Sequence, residues 1–220
     1  MSNKKRSPLA TEDLYKTQRG YYKNIYTKDK AIPWAGAFEE KWLYDTLDKI
    51  GPPGGRHALE IGTGHGRGAK ILNERGWPTV ALDYLFEPLA KAGGTTPEGR
   101  AGPLYVQGDA FEAPFAGRAF GLVLDWGVFH HIRRRDTHLF LNAISGLLSY
   151  RGLFLLGAFS TRFRHAGEGA RKRNWTRHHG HYDRFSTREE LLNVFGKIFQ
   201  IESVRDDRKG FYHLMMIKRG

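Results

Sequence analysis

Glycines and acidic residues follow short apolar runs in the first half of the chain, at spacings that could build a site for a charged small molecule. The segment 58–72, ALEIGTGHGRGAKIL, places glycine at four alternate positions between an apolar run and a helical pattern. Glycine allows sharp turns and lets a ligand approach bare backbone amides at a helix N-terminus. The segment therefore predicts a strand, a ligand-binding loop and a helix, in that order.

Carboxylates recur at the ends of the predicted strands. Glu60 lies inside the first strand, and Asp83, Asp109 and Asp125 end the next three. In an open parallel sheet these ends share one edge, where ligands bind. Residues 64–69 also satisfy the G-x-G-x-x-A fingerprint of dinucleotide-binding folds. Asp83, about twenty residues further on, lies where such a fold would have its acidic residue. Strand four, however, runs into DWGVFHHI rather than into a second mononucleotide-binding half, which favours a different cofactor.

Strands alternate with helices through most of the chain, which is typical of a parallel sheet covered by helices. We predict five strands in this part, at 56–61, 78–83, 103–107, 120–125 and 152–159. The helical patterns fall at 37–49, from the glycine loop to about residue 74, and at 88–92, 136–149 and 187–196. Two further strand-like runs, 198–204 and 211–218, have a short linker and predict an antiparallel hairpin.

Composition limits the class of protein. A chain of 220 residues supports one domain with a substantial core. The absence of cysteine excludes disulfides, thiolate metal sites and cysteine nucleophiles. No apolar run reaches the roughly 18 residues of a membrane span, and no apolar segment follows the basic N-terminus as in a secretory signal. We therefore expect a single cytoplasmic domain over 1–220 without a membrane partner; the oligomeric state stays open.

Positive charge is concentrated in two segments. The formal net charge is +12, with eight Lys or Arg in residues 1–30 and seven in the long loop 160–184. Solubility is one explanation, and an anionic partner, either RNA or an acidic small molecule, is another. In the loop, Arg162 and Arg164 could bind a carboxylate or phosphate, while Trp175 and Tyr182 could stack on a ring. A solvated lid is the alternative.

Histidines occur in two groups. His130 and His131 follow strand four and are candidate general bases, with Phe129 beside them as a candidate substrate contact. The alternative is that His131 packs against the following helix and His130 bonds to backbone. His165, His178, His179 and His181 form the second group. Their spacing is not a helical i, i+4 pair and no acid or cysteine obviously completes the set, so we expect no metal.

With these motifs, the chain resembles the class I S-adenosylmethionine-dependent methyltransferases over residues 56–218. The most specific element is the E-x-G-x-G-x-G form of the loop, followed by the acid after strand two. The resemblance implies an α/β, Rossmann-like fold with a seven-stranded, mostly parallel sheet, helices on both faces and a C-terminal antiparallel hairpin. It also implies S-adenosyl-L-methionine as cofactor.

The resemblance assigns roles to matching residues. Gly62, Thr63 and Gly64 would wrap the methionine part of the cofactor, and Glu60 would hold the loop or reach the amino group through water. Asp83 would accept from both ribose hydroxyls, as its two oxygens allow. The remaining contacts would be Tyr84 and Leu85 around the adenine, Asp109 on the adenine amino group beside Ala110 and Phe111, and Asp125 and Trp126 at the methionine end. The alternative for each acid is a surface cap or a salt bridge.

The segment 1–35 is basic and aromatic, and we predict that it is a lid or extension. Pro33-Trp34 ahead of a helix is similar to the small-molecule branch that includes thiopurine, halide and tellurite methyltransferases. In that branch a tryptophan in such a segment lies over the cofactor, so Trp34 is a candidate cofactor contact. The alternative is that Trp34 only anchors a helix on the core.

These observations favour methyl transfer to a small, anionic or aromatic acceptor by in-line displacement, which demands mainly alignment. Methyl transfer to RNA or protein through the basic segments is the alternative, and a non-catalytic cofactor-binding protein is a further one. No Asn/Asp-Pro-Pro-Tyr/Phe motif follows strand four, and without cysteine covalent pyrimidine C5 methylation is excluded. The acceptor atom is not predicted.

Overall fold

A computed structural model describes residues 13–28, 39–93, 101–165, 168–178 and 180–220. Trp34 and His179 therefore lie outside the described residues. Seven strands form one sheet: β1 His57–Ile61, β2 Thr79–Asp83, β3 Leu104–Gln107, β4 Phe120–Trp126, β5 Leu148–Phe159, β8 Phe199–Asp206 and β9 Phe211–Lys218. Their order in the sheet is β3-β2-β1-β4-β5-β9-β8. A separate two-stranded sheet contains β6 Trp175–His178 and β7 His181–Arg184.

Strands β1 to β5 pair in parallel, whereas β9 is antiparallel to both β5 and β8. The predicted fold class, including the C-terminal antiparallel hairpin, is confirmed. The described helices are α1 Asp13–Thr27, α2 Glu40–Ile50, α3 Arg67–Glu74, α4 Phe86–Gly93, α5 Thr137–Leu147 and α6 Arg188–Phe195. None of the described helices combines the length and apolarity needed to cross a membrane.

Apolar side chains cover both faces of the sheet, as the near-continuous hydrophobic strands require. On β4, Leu122 and Leu124 pack into a cluster with α2 and α3, whereas Val123 packs into a cluster with α5 and α6. Successive strand residues point to opposite faces, so one strand feeds both layers. This two-sided core holds the strand ends in fixed positions.

The parallel register aligns the ends of the strands that precede the cavity. Ile61 of β1 lies opposite Leu82 of β2 and Asp125 of β4, and Asp83 lies opposite Gln107 of β3. The chain therefore leaves β1, β2, β3 and β4 along one edge. The acids predicted at strand ends lie along this edge.

The loop 160–184 is more ordered than expected, because β6 and β7 form a short antiparallel hairpin within it. Gln18 of α1 fastens the hairpin, since its Oε1 accepts a hydrogen bond from Tyr182 N at 3.0 Å. Ser160 bridges to Ser186 on the other side of the segment. Helix α1 and the hairpin both contribute to the cavity wall, and Tyr26 of α1 also contacts His65 of the glycine loop, with ring centroids 5.4 Å apart.

Candidate active site

A cavity of about 380 Å³ opens beyond the carboxyl ends of β1, β2, β4 and β5. Of the predicted site residues, the lining includes Gly62, Asp83, Tyr84, Ala110, Trp126, His130 and His131. The lining also includes α1 residues Gln18, Tyr21, Tyr22 and Tyr26 and, from later in the chain, Phe159, Phe163, His165, His178, His181, Asp183 and Phe211. The volume lies within the roughly 300–1,000 Å³ of small-molecule sites.

The glycine loop brings backbone to the cavity where side chains would not fit. Gly62 has a φ of +63°, and a Cβ there would lie 2.2 Å from Val128 Cγ2. At Gly68, in the first turn of α3, a Cβ would lie 2.1 Å from Glu60 Oε1. The loop is therefore shaped by close approach to β1 and to the turn after β4.

Glu60 fixes the loop from beneath. Its carboxylate accepts hydrogen bonds from Thr63 Oγ1 and, at 2.7 Å, from Ala69 N in the first turn of α3. Burial raises the pKa of Glu60 to about 7. The side chain is almost fully buried and does not line the cavity. The structure thus gives Glu60 a role in holding the loop.

Asp83 joins the loop to the end of β2. Its Oδ2 accepts from Gly64 N at 3.0 Å and its Oδ1 from Leu85 N at 2.9 Å. Burial raises the pKa of Asp83 to about 6. The residue also lines the cavity, so a carboxylate faces this space.

Asp109 and Asp125 bind backbone and do not line the cavity. Asp109 accepts from Phe111 N at 2.8 Å and caps a short 3-10 turn. Asp125 is fully buried and accepts from the amides of Gly127, Val128 and Phe129. Burial raises the pKa of Asp125 to about 7. Their neighbours Ala110 and Trp126 face the cavity instead.

Aromatic rings form part of the cavity lining. His130 stacks on Phe159 with ring centroids 3.6 Å apart, and Phe159 stacks on Phe163 at 3.8 Å. Burial lowers the pKa of His130 well below its usual value, so this imidazole is neutral near pH 7. No lysine or arginine belongs to the lining formed by the described part of the chain. The wall therefore suits a flat ring better than an anion.

His131 lies between a carboxylate and a phenol. Its Nδ1 is 2.8 Å from Asp183 Oδ1 and 3.1 Å from both Tyr182 O and Tyr22 Oη, and its Nε2 is 2.8 Å from Tyr22 Oη. Burial alone would raise the pKa of Asp183, but hydrogen bonds from His131, His165 and His181 hold it well below its usual range. Asp183 is thus an anion that orients the His131 ring. Of the two predicted histidines, His131 is the one with a polar partner at each ring nitrogen.

The structure does not bring five predicted substrate contacts to the cavity. Phe129 has no exposed surface and packs against Phe140 and Phe195 in the core. Arg162 forms an ion pair with Asp206, and the Arg164 guanidinium donates to the Thr161 and Phe163 carbonyls.

The remaining two, Trp175 and Tyr182, stack on each other 6.0 Å apart, and neither lines the cavity. In β7, His181 and Asp183 project to the opposite face from Tyr182, because strand residues alternate. The hairpin thus turns Asp183, rather than Tyr182, toward the cavity.

Helix α1 supplies cavity-lining residues that are not among those predicted from the sequence. Gln18, Tyr22 and Tyr26 are spaced four residues apart, which places them on one helix face. That spacing was a usable signal. Asp183 had no such signal, because its approach to His131 depends on the fold of the hairpin.

Comparisons with known proteins agree with this geometry. Residues 59–156 match a family model described as a methyltransferase domain. No curated protein sequence matches the chain. Residues 59–156 therefore match a methyltransferase domain, and the fold is the one that S-adenosylmethionine-dependent methyltransferases share.

Solved structures share this fold at low sequence identity. A 1,6-didemethyltoxoflavin-N1-methyltransferase from Burkholderia thailandensis, with bound 1,6-didemethyltoxoflavin and S-adenosylhomocysteine, is 20% identical with a TM-score of 0.74; the match covers 100% of this chain and 94% of that one. A methyltransferase from Mesorhizobium loti is 18% identical with a TM-score of 0.61, covering 79% and 96%. A TehB-like methyltransferase from Corynebacterium glutamicum is 16% identical with a TM-score of 0.59, covering 93% and 97%.

Proposed function

We propose that the protein transfers the methyl group of S-adenosylmethionine to a small, planar aromatic acceptor at a ring nitrogen or oxygen. The observation that carries this proposal is the stack of His130, Phe159 and Phe163, whose rings are 3.6 and 3.8 Å apart at the cavity wall. A flat ring can continue such a stack, and aromatic pairs gain about 0.5–1.5 kcal/mol beyond burial. The toxoflavin-related neighbour, with its N1 acceptor, supports this class of substrate.

The part of the cavity at the ends of β1 and β2 fits the cofactor. Gly62 leaves backbone exposed at the turn after β1, and Asp83 faces the cavity at the end of β2. Backbone amides at a loop before a helix suit an anionic carboxylate, and a carboxylate suits paired hydroxyls. When bound, the cofactor supplies an electrophilic methyl group. We assign Gly62 and Asp83 to cofactor binding, with Tyr84 and Ala110 beside the adenine.

His131 accepts the proton when the acceptor carries N–H or O–H. Asp183 Oδ1 and the Tyr182 carbonyl, which both lie close to Nδ1 and can only accept, favour the tautomer with its proton on Nδ1, which leaves Nε2 free to accept a proton. Nε2 contacts Tyr22 Oη, so the phenol can relay the proton from the cavity. Because displacement at a methyl carbon needs mainly alignment, this base contributes only for acceptors that are protonated.

An acceptor screen tests the proposal. Labelled S-adenosylmethionine is incubated with ring N–H heterocycles, phenols, thiols, aliphatic amines, carboxylates and halide. We expect turnover with planar heterocycles or phenols. Phe163→Ala should raise the KM of such an acceptor at least about tenfold without changing the Kd of S-adenosylhomocysteine, because an aromatic truncation costs more than 1.4 kcal/mol. Phe86→Ala, on an exposed phenylalanine of α4, is the matched control.

A second arm tests the base. His131→Ala should lower kcat about 10²- to 10⁴-fold on a protonated acceptor and leave a thiolate acceptor unaffected. His57→Ala, at the exposed start of β1, should change neither rate. A best substrate that is aliphatic, or a His131→Ala enzyme with full activity on an N–H acceptor, would contradict the proposal.

A further inference from the structure

Three histidines and one aspartate meet at the part of the cavity lining formed by the β6–β7 hairpin and the segment after β5. One potential ligand atom from each of His165, His178, His181 and Asp183 lies within 4.8 Å of the other three. Asp183 has no exposed surface, and the His181 side chain is only 5% exposed. The two other imidazoles, at 28% and 29%, are half-buried.

The β6–β7 hairpin explains how the sequence assembles this cluster. His178 and His181 are paired across the two strands, and His181 and Asp183 are two residues apart in β7. Cross-strand partners and residues two apart share one face of a hairpin. His165 comes from the segment after β5, where its amide donates to Glu168 Oε2 at 3.0 Å. Asp183 is therefore the acidic residue that completes the histidine set, which the spacing in the sequence does not reveal.

The distances are close to those of a metal site. Asp183 Oδ2 lies 2.8 Å from His165 Nε2 and 3.1 Å from the Nε2 atoms of His178 and His181. In a tetrahedral site with bonds of about 2.0–2.1 Å, ligand atoms are about 3.3 Å apart. The widest pair, at no more than 4.8 Å, would have to close by only about 1.5 Å. Small side-chain rotations would complete the tetrahedron.

Hydrogen bonding alone explains this arrangement less well. A carboxylate has about four lone-pair sites, roughly two on each oxygen, so three N–H donors exceed what Oδ2 can accept. An Nε2 that presents its lone pair to Oδ2 repels it instead. A cation between the four atoms removes both conflicts, because neutral imidazole and ionised carboxylate are the ligand forms.

We propose that His165, His178, His181 and Asp183 bind one divalent transition-metal ion, with Zn²⁺ as the best match. Imidazole nitrogen with a single carboxylate oxygen suits Zn²⁺ and neighbouring first-row ions better than Mg²⁺ or Ca²⁺, which prefer oxygen ligands. The ion ties the segment after β5 to the hairpin and so fixes the wall that contains Phe163. Asp183 Oδ1 keeps its contact with His131. The proposal does not depend on the identity of the methyl acceptor.

Metal titration of chelator-treated protein tests the site. We expect one equivalent of Zn²⁺ by calorimetry, and Co²⁺ should give the intense visible bands of a tetrahedral site. At a hundredfold excess over Kd, Zn²⁺ should raise Tm by about 5–10 °C. His165→Gln and His178→Gln should weaken Zn²⁺ by more than the roughly 10- to 100-fold that loss of an outer-shell partner costs.

His57→Gln controls for loss of an exposed histidine and should bind Zn²⁺ as the wild type does. The Kd of S-adenosylhomocysteine, measured on every variant, separates failure of this site from failure of the cofactor site. The inference is overturned if the wild type binds no stoichiometric Zn²⁺ or if the two ligand variants bind it as tightly as the wild type. It is equally overturned if His57→Gln weakens binding as much as they do.

Discussion

The carboxylates at the strand ends act on the protein's own backbone before they act on any ligand. Glu60, Asp83, Asp109 and Asp125 each accept at least one hydrogen bond from a backbone amide. Such bonds favour the ionised carboxylate, whereas burial favours the neutral form. Burial prevails at Glu60, Asp83 and Asp125, whose pKa values are raised to about 7, 6 and 7. Cofactor affinity should therefore depend on pH.

Asp83→Asn tests this dependence. The amide has one acceptor oxygen, so either Gly64 N or Leu85 N loses its partner. We expect a roughly 10- to 100-fold weaker Kd for S-adenosylhomocysteine at pH 8, since hydrogen bonds to charged groups contribute about 1.5–3 kcal/mol. Calorimetry measures this Kd. Asp48→Asn is the control, because Asp48 forms an ion pair with Arg75 on the surface.

The protonation of Asp83 also predicts the direction in which cofactor affinity changes with pH. In the ligand-free wild type, Asp83 has a pKa of about 6, so its carboxyl group is mostly protonated at pH 5. The hydroxyl groups of the ligand favour the ionised carboxylate. Affinity should rise between pH 5 and 7 and level off above it, by up to about tenfold per pH unit below the pKa. Asp83→Asn should flatten this part of the curve. An unchanged profile in the variant would remove Asp83 as the titrating group.

His213 predicts an acid sensitivity that is independent of the cofactor. The ring is fully buried and stacks with Trp42 at 4.9 Å and Trp126 at 4.8 Å. Neither ring nitrogen has a hydrogen-bond partner within the described ranges, and Asp207 Oδ2 is 3.6 Å from Nε2. Burial lowers the pKa of His213 to about 4, so the folded protein keeps this imidazole neutral.

Between pH 6.5 and 4 the unfolded chain binds a proton at His213 that the folded chain does not, so stability falls as the pH falls. The maximum loss is about 3 kcal/mol, and it is absent above pH 6.5. His213→Phe keeps a flat ring between the tryptophans and should remove this part of the slope. Urea unfolding at pH 7 and pH 5 measures it. Equal slopes in variant and wild type would show that His213 does not titrate in this range.

At the scale of elements, the turn from β1 into α3 depends on how closely the helix approaches the strand. A Cβ at Gly68 would meet the Glu60 carboxylate at 2.1 Å and Leu124 Cδ2 at 2.8 Å. Glu60 cannot move away without losing its bond to Ala69 N. Strand β1 and helix α3 can therefore approach this closely only because residue 68 has no side chain.

Gly68→Ala should destabilise the protein by about 1–3 kcal/mol, the usual cost of overpacking. Because α3 would shift from the loop, the Kd for S-adenosylhomocysteine should rise as well. Gly20→Ala is the matched control, since Gly20 is in α1 with nothing within 4 Å of its would-be Cβ. That change should stabilise the protein by about 0.5–1 kcal/mol. Equal effects of the two substitutions would mean that the close approach at Gly68 is not needed.

The sequence predicts the elements in proportion to how local their signals are. The strand at 120–125 and the glycine loop are read from neighbouring residues, and the structure has β4 at Phe120–Trp126. The hairpin was missed because β6 and β7 have four residues each and no apolar alternation. Phe129 was misassigned because its sequence position beside the histidines does not reveal which way a 3-10 turn points it. Contacts across the fold, such as Asp183 with His131, have no local signal.

At the scale of the whole molecule, the net charge of +12 suggests an RNA partner, but three of the seven basic residues in the segment 160–184 are paired within the protein. Arg162 pairs with Asp206, Arg171 with Glu168, and Arg184 with Glu190. An arginine held by a carboxylate is less available to phosphate, because binding must first break that pair. The basic loop is thus partly neutralised where it approaches the cavity.

We therefore expect RNA binding to be weak and non-specific. Anisotropy of a labelled single-stranded RNA should give a log Kd against log salt slope of about 2 or less, which corresponds to about three phosphate contacts or fewer. Excess RNA should not inhibit methyl transfer to a small acceptor, because no lysine or arginine of the described residues lines the cavity. Arg162→Ala should leave RNA binding almost unchanged, since that guanidinium is engaged with Asp206. A slope of about 5 or more, together with competition against the small acceptor, would favour RNA as the substrate.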